Sequence, residues 1–318
     1  MHRLSGKKIV VVRTGALGDV LMTLPLLQAV HSVQPECLHV VVEARQKALM
    51  EGFDCIDRAF AADDLQWWRV YGDDTDSLPL RFLSDYDCVV ALIQDHGGTV
   101  ADRLRQRLPG EVIFRPPFPH RPDKHVSGYY LETLLGLPSP FSWPPGWKAP
   151  DEEVREAKRV LACLSSSPRI CVLQPGSGGV SKNWPLKRFR EQADWLNSQG
   201  MLPVFLLGPA EVAISETVHA FCRERRFPVW ENLSLTRCAA LLCQSEGFLG
   251  NDAGVTHLAA ALGLPTLAVF VKTEPKMWRP LGAHTGVVDI RKTSEADQDG
   301  AGEVSRELGR LLSIRTRH

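Results

Sequence analysis

A chain of 318 residues that is 44% hydrophobic and 23% charged has enough apolar material for two domains of ordinary size, each with its own core. Lys+Arg and Asp+Glu are both 37, so the formal net charge is zero, which argues against nucleic-acid binding driven by bulk charge. No stretch approaches the ~20 apolar residues of a membrane span, and the apolar run after Lys7 and Lys8 is too short for a signal-peptide core.

The eight cysteines include no C-x-x-C pair and sit in apolar surroundings, which reads as free, buried, cytosolic thiols. Residues 8–13 (KIVVVR) are a β-branched run suited to a strand buried on both faces. The run ends at Thr14-Gly15-Ala16-Leu17-Gly18-Asp19 and enters an apolar helical segment. This spacing lacks the full G-x-G-x-x-G pattern of a dinucleotide site. Asp19 lies where the carboxyl end of a strand passes into a helix, the place where open α/β sheets put their chemistry. Asp is also a preferred helix N-cap, and position alone leaves both readings open. Pro25 predicts that the regular helix starts late or kinks.

Further strands are expected near residues 38–44, 59–60, 88–93 and 111–114, with helices at 100–108 and 126–135. Such alternation predicts a parallel, doubly wound sheet. The acidic segment 63–76 contains Asp74-Thr75-Asp76. A D-x-D triplet can ligate a metal that holds a diphosphate, but this one sits in a polar loop and reads as solvated. Basic residues recur at Arg103, Arg105, Arg107, Arg115, Arg121, Lys124 and His125. Arg103 and Arg107 share a helix face, whereas Arg105 points elsewhere. The set either solvates the surface or recognises an acidic acceptor.

Proline density rises over residues 137–150 (LPSPFSWPPGWKAP), and a charged helix begins at Asp151. The expected domains are therefore 1–148 and 149–318, joined by a semi-rigid linker. The second repeat carries strands at 170–174, 203–207, 247–250 and 266–271. Its helices lie near 186–198, 211–225, 236–244, 254–262 and 304–313. Two such domains place a cleft between them, a common setting for a ligand.

Residues 173–185 (LQPGSGGVSKNWP) and 250–264 (GNDAGVTHLAAALGL) each have the form of a strand-to-helix crossing. Backbone amides and a positive helix end can hold an anion there, and glycine lets the main chain approach a phosphate. Two crossings suggest a doubly charged ligand, a nucleoside diphosphate carrying a group to be transferred. Ser177, Gly178 and Gly179 form a phosphate loop or a simple tight turn. Lys182 offers a cation. Asp252 caps a helix or binds sugar hydroxyls, and His257 is structural or lies near the phosphate.

The ordered set Arg13-Thr14-Gly15-Ala16-Leu17-Gly18-Asp19, Pro175-Gly176-Ser177, Lys182-Asn183-Trp184-Pro185 and Gly250-Asn251-Asp252-Ala253-Gly254-Val255-Thr256-His257 resembles glycosyltransferase family 9, the ADP-heptose:lipopolysaccharide heptosyltransferases and their relatives. Residues 125–137 and 233–242 also resemble that family. The resemblance implies an α/β GT-B fold, two Rossmann-like domains facing across a cleft, with acceptor on the N-terminal side and nucleotide-sugar on the C-terminal side. It implies inverting transfer without a metal and with no cofactor beyond the donor. By matching position, Asp19 becomes the general base. Lys182 offsets charge on the departing diphosphate. Ser177 and Gly178 match the phosphate loop, Asp252 the holder of donor-sugar hydroxyls, Ala253 and Gly254 the diphosphate amides, with His257 beside them. Leu233 matches an adenine-side contact and Glu211 is the candidate for the ribose. Arg13, Arg103, Lys124 and His125 are assigned to the acceptor. The last helix, 304–313, is free to cross back onto the first domain.

Two departures bear on the substrates. The family's Asp-x-x-Gly acceptor segment is only approximated by Ile93-Gln94-Asp95-His96-Gly97-Gly98-Thr99. Position 253 is Ala where heptosyltransferases commonly have Thr. The expected activity is transfer of a heptose from ADP-heptose to a lipopolysaccharide inner-core acceptor. The alternatives are another nucleotide sugar or glycan acceptor, a GT-B sugar-nucleotide epimerase, or a non-catalytic binding protein. The expected location is cytoplasmic, with at most peripheral association at the inner membrane face and no nucleic-acid partner.

Overall fold

The computed structural model describes residues 3–72, 77–95, 97–119, 123–134, 143–164, 169–292 and 300–314. The Asp74-Thr75-Asp76 triplet and Arg121 lie outside the described residues. The chain divides into two compact units, Met1–Lys148 and Ala149–His318.

The first unit runs β1 (Lys8–Val12), α1 (Leu17–Leu21), α2 (Leu24–Ser32), β2 (Cys37–Val42), α3 (Lys47–Met50), β3 (Arg58–Ala61), α4 (Leu78–Leu83), β4 (Cys88–Leu92), α5 (Thr99–Arg107), β5 (Glu111–Arg115) and α6 (Val126–Leu131). Its five strands are ordered β3-β2-β1-β4-β5, and every pairing is parallel. β1 and β4 are central and apolar along their length, as strands covered on both faces must be. Pro25 falls in the first turn of α2, where a missing N–H costs nothing, so the apolar segment after Asp19 splits into two helices.

The second unit runs α7 (Asp151–Ala162), β6 (Ile170–Gln174), α8 (Leu186–Ser198), β7 (Leu202–Leu207), α9 (Ser215–Arg225), β8 (Val229–Glu231), α10 (Leu235–Leu242), β9 (Gly247–Asn251), α11 (Gly254–Ala261), β10 (Thr266–Phe270), α12 (Pro275–Trp278), β11 (Thr285–Asp289) and α13 (Ala301–Ile314). Its sheet is six parallel strands in the order β11-β10-β9-β6-β7-β8. The order in which strands are added reverses between β6 and β9 here, and between β1 and β4 in the first unit. Open α/β sheets bind ligands at the carboxyl ends of strands at such a switch point.

The sequence reading omitted β8, β11, α4 and α12. Three residues make too short a run to read as a strand, and Gly286 interrupts the pattern of β11. The helix expected from residue 211 opens as a 3-10 turn over Pro209–Ile214, and α9 begins only at Ser215. The apolar face of α13, free on the sequence to return to the first domain, is taken up by the core of its own unit. There Val304, Leu308, Leu311 and Leu312 are buried with Trp184, Phe189 and Phe205.

Leu308→Ala is expected to destabilise the second unit by about 2–5 kcal/mol, the range for emptying a buried leucine site. A lower urea midpoint by far-UV circular dichroism checks it, and an unchanged midpoint would place α13 outside that core.

Candidate active site

In the first unit the switch point is organised by Arg13, the residue that follows β1. It is buried, and a buried guanidinium must find partners. Its Nη2 lies 3.4 Å from Asp19 Oδ2. Its Nε donates to the Tyr130 hydroxyl at 3.1 Å, and that hydroxyl donates onward to Pro117 O at 2.8 Å. The guanidinium also lies 5.1 Å from the centroid of the Phe118 ring. Burial pushes the Tyr130 phenol up to about 12, so it stays a neutral hydroxyl able to do both jobs.

Asp19 is not the cap of α1. The N-cap is Ala16, and Asp19 stands in the first turn of the helix. Its carboxylate is accessible at about a fifth of its side-chain surface, between a buried cation and solvent. The buried Arg13 guanidinium faces it from the core side. The loop that presents it bends at Gly15, with φ of 122°. It is clamped from the strand beside it: Gly15 N–H donates to Glu43 Oε1 at 3.0 Å, and Gln46 Nε2 donates to Gly15 O at 2.8 Å.

The other basic residues assigned to the acceptor are engaged elsewhere. Arg103 donates from Nη1 to Val70 O at 2.9 Å. Lys124 forms an exposed pair with Glu132 at 2.8 Å. His125 is the N-cap of α6, its Nδ1 accepting the Ser127 N–H at 3.2 Å. Asp95, in the segment that departs from the family pattern, accepts the N–H groups of Val100 and Ala101 at 3.3 and 2.9 Å and so tethers the start of α5.

In the second unit the two crossings meet. Asn251, at the end of β9 and fully buried, donates from Nδ2 to Pro175 O at 2.7 Å and accepts the Trp184 N–H at 2.8 Å through Oδ1. Its own carbonyl accepts the Thr256 hydroxyl at 2.6 Å. One amide thus joins the end of β6, the Lys182 loop and the first turn of α11.

On this frame stands Asp252. Its Oδ2 receives the Thr273 hydroxyl at 2.6 Å and faces Lys182 Nζ at 3.3 Å, while His257 Nε2 lies 3.7 Å from Oδ1. Burial pushes the Asp252 carboxyl up, but hydrogen bonds from His257 and Thr273 and the nearby positive charges outweigh it and hold it below the usual carboxylate value. Ala253 is the N-cap of α11 and has no side-chain cap to offer, and Gly254 opens the helix beside it.

Ser177 is buried, and its hydroxyl serves the loop. It donates to Asn183 Oδ1 at 2.6 Å and accepts the Gly179 N–H at 3.3 Å. Gly178 is exposed at the loop tip. Leu233 is half-buried between β8 and the Ser234 cap of α10.

Glu211, the residue assigned to the ribose, is 0% exposed, and its Oε2 accepts the Gly208 N–H at 2.7 Å, which holds the end of β7. A Cβ on Gly176 would lie 2.2 Å from its Oε1, so the carboxylate packs against a position that needs glycine. Thr273, Asn251, Tyr130, Glu43 and Gln46 carry no motif of their own in the sequence. Two of them stood inside recognised stretches, Asn251 beside Asp252 and Tyr130 within residues 125–137.

Burial pushes the Glu211 carboxyl above its usual value of 4.5, against the pull of the Gly208 and Gly176 amides and the Gln174 side chain. A raised folded-state value means that the folded chain binds the extra proton. The stability this supplies is full at low pH and is lost as pH rises through the raised value. Glu211→Gln keeps an acceptor and removes the charge. The variant is expected to gain stability relative to the parent as pH rises from roughly 4 to 8, by at most about 1.4 kcal/mol per pH unit. Urea unfolding across that range measures it, and a pH-independent difference would show that burial does not govern this carboxyl.

A sequence profile of glycosyltransferase family 9 (heptosyltransferase) matches residues 131–303, more than half of the chain. Lipopolysaccharide heptosyltransferase 2 of Salmonella typhimurium is 28% identical over 197 residues, covering 56% of this chain and 53% of that protein. The chain therefore spans about half the length of the curated relatives it matches. A glycosyl transferase family 9 structure from Veillonella parvula superposes with a TM-score of 0.79 at 20% identity, covering 98% of this chain and 99% of the other. The E. coli ADP-heptose lps heptosyltransferase II gives 0.77 at 18% identity, covering 97% and 99%. At those identities the likeness speaks for the fold, two parallel-sheet α/β units of GT-B type. The profile adds the family: the chain belongs to glycosyltransferase family 9.

Proposed function

We propose that this chain is an inverting glycosyltransferase that moves a heptose from ADP-heptose to a lipopolysaccharide inner-core acceptor. The observation that carries the reading is the Asp252 centre, where a buried carboxylate is held by Lys182, His257 and Thr273 at the carboxyl ends of β6, β9 and β10. A site that fixes one carboxylate and one lysine beside glycine-rich strand ends suits a sugar linked to a diphosphate. The donor is also the one in the printed name of the E. coli relative of the same fold.

In this reading Asp19 takes the proton from an acceptor hydroxyl as that oxygen attacks the anomeric carbon. The carbon–oxygen bond to the diphosphate breaks, and its electron pair leaves on the phosphate oxygen. A single displacement from the opposite face inverts the anomeric centre. Arg13 keeps the Asp19 carboxylate aimed. Lys182 faces the charge that grows on the leaving diphosphate. Gly178, Ala253 and Gly254 offer backbone amides to it, and Asp252 accepts from sugar hydroxyls. Leu233 is kept for the base. No cofactor or metal is invoked. The acceptor is a lipid, so contact with the inner membrane face is by surface association; no helix among the described residues is long and apolar enough to cross a membrane.

A second reading keeps the mechanism and changes the sugar, because Ala253 lacks the hydroxyl that heptosyltransferases commonly place there.

Calorimetric titration with ADP, UDP, GDP and CDP, without added metal, separates the two. Selective ADP binding supports the heptose donor. Preference for another nucleotide retains the Asp19 chemistry and overturns the heptose, and no binding by folded protein overturns the transferase.

Asp19→Ala is expected to lower kcat by roughly 10²–10⁴-fold with little change in donor KM, the range for losing a general base. Unaltered turnover would remove Asp19 from the mechanism.

A further inference from the structure

The loop that follows β10 brings one more cation to the Lys182 turn. Thr273 in that loop donates to Asp252 Oδ2 at 2.6 Å. Its neighbour Lys272 places Nζ 3.4 Å from the Ser181 hydroxyl, and Ser181 immediately precedes Lys182. Lys272 and Lys182 therefore converge on one short turn, Val180–Lys182, from two different strand ends.

Their electrostatic situations differ. Lys182 faces the carboxylate of Asp252 at 3.3 Å. Lys272 is exposed, and its contact is a neutral hydroxyl at the far limit of hydrogen-bonding distance. Among the described residues no ion pair engages it. The cations just beyond are committed: Arg291 bridges Glu274 and Asp289, and Lys292 faces Asp289 at 3.5 Å. Asp252 is met by Lys182 and the His257 imidazole, while Lys272 stands at the Ser181 hydroxyl beside Lys182, where no carboxylate among the described residues pairs with it.

We propose that Lys272 is a second cation for the diphosphate of the donor, acting beside Lys182 on the phosphate nearest the transferred sugar. This rests on the reading of the site as one for a nucleoside diphosphate-sugar. A diphosphate brings more negative charge than Lys182 can neutralise while it also faces Asp252. Lysine binds phosphate as a mobile point charge, and a long, weak contact to Ser181 is readily exchanged for a phosphate oxygen. Ser181 parks the side chain over the loop, and Thr273 fixes the turn it grows from.

The test is calorimetric titration of the parent chain, Lys272→Ala, Lys272→Arg and Lys276→Ala with ADP, UDP, GDP and CDP, and with the monophosphate of whichever diphosphate binds. Lys276 is an exposed lysine of α12 and serves as the control. Lys272→Ala is expected to weaken diphosphate binding roughly tenfold, the size of one charge-assisted hydrogen bond, while monophosphate binding changes less than about twofold. Lys272→Arg should restore most of the loss, added salt should narrow the gap, and Lys276→Ala should match the parent. Equal diphosphate affinity in the parent and Lys272→Ala overturns the proposal and leaves the donor reading intact. Equal losses of di- and monophosphate also overturn it, since a distorted loop would produce them. A parent chain that binds none of the four overturns the donor reading itself, and the proposal with it.

Discussion

The second unit depends on one buried amide. Asn251 satisfies a carbonyl at the end of β6 and the N–H of Trp184, and its main chain accepts from Thr256 in α11. Buried polar backbone groups in irregular loops must be paired, and here one residue of the second crossing pairs two groups of the first through its side chain and the α11 turn through its carbonyl. The Lys182 loop is thereby held against the α11 turn, with Trp184 anchored in the core below. Asp252 comes next in the chain, so its position follows from the position of Asn251.

The two units repeat one electrostatic device. A carboxylate stands just beyond the carboxyl end of a strand at the switch point, and a cation of the same unit faces it. Arg13 does this for Asp19, Lys182 for Asp252. The partners differ in a way that suits the proposed roles. Arg13 is buried, fixed by Tyr130 and Phe118, and has little freedom to leave. Lys182 is more than a third exposed and can turn toward an incoming anion.

Several polar groups assigned to ligand also build the loops. The Ser177 hydroxyl is shared within its own turn, Glu211 accepts the Gly208 N–H at the end of β7, and His125 caps α6. In the proposed reading the phosphates are met chiefly by backbone amides and lysines. A site of this kind recognises charge and shape more than any particular base, which leaves discrimination among nucleotides to the flanks, where Leu233 sits half-buried.

The β-branched runs of β1, β4, β6 and β9 and the glycine breaks after them were legible because each is a local pattern: continuous apolar residues, then a turn. Local pattern likewise marked Asp19, Lys182, Asp252 and His257, which stand at strand-to-helix crossings. The sequence alone therefore determined the α/β class, the alternation of elements, and the loops in which the chemistry would lie. It did not determine what any side chain in those loops touches. That Arg13 rather than Arg103 or Lys124 meets Asp19, that Glu211 is buried, that Thr273 reaches Asp252 from β10 and that Lys272 reaches the Lys182 turn beside it are all contacts between distant segments. Strand order and the parallel register brought these segments together. Hydrogen-bonding demand in a buried setting then chose each partner, and that demand exists only once the sheet has formed.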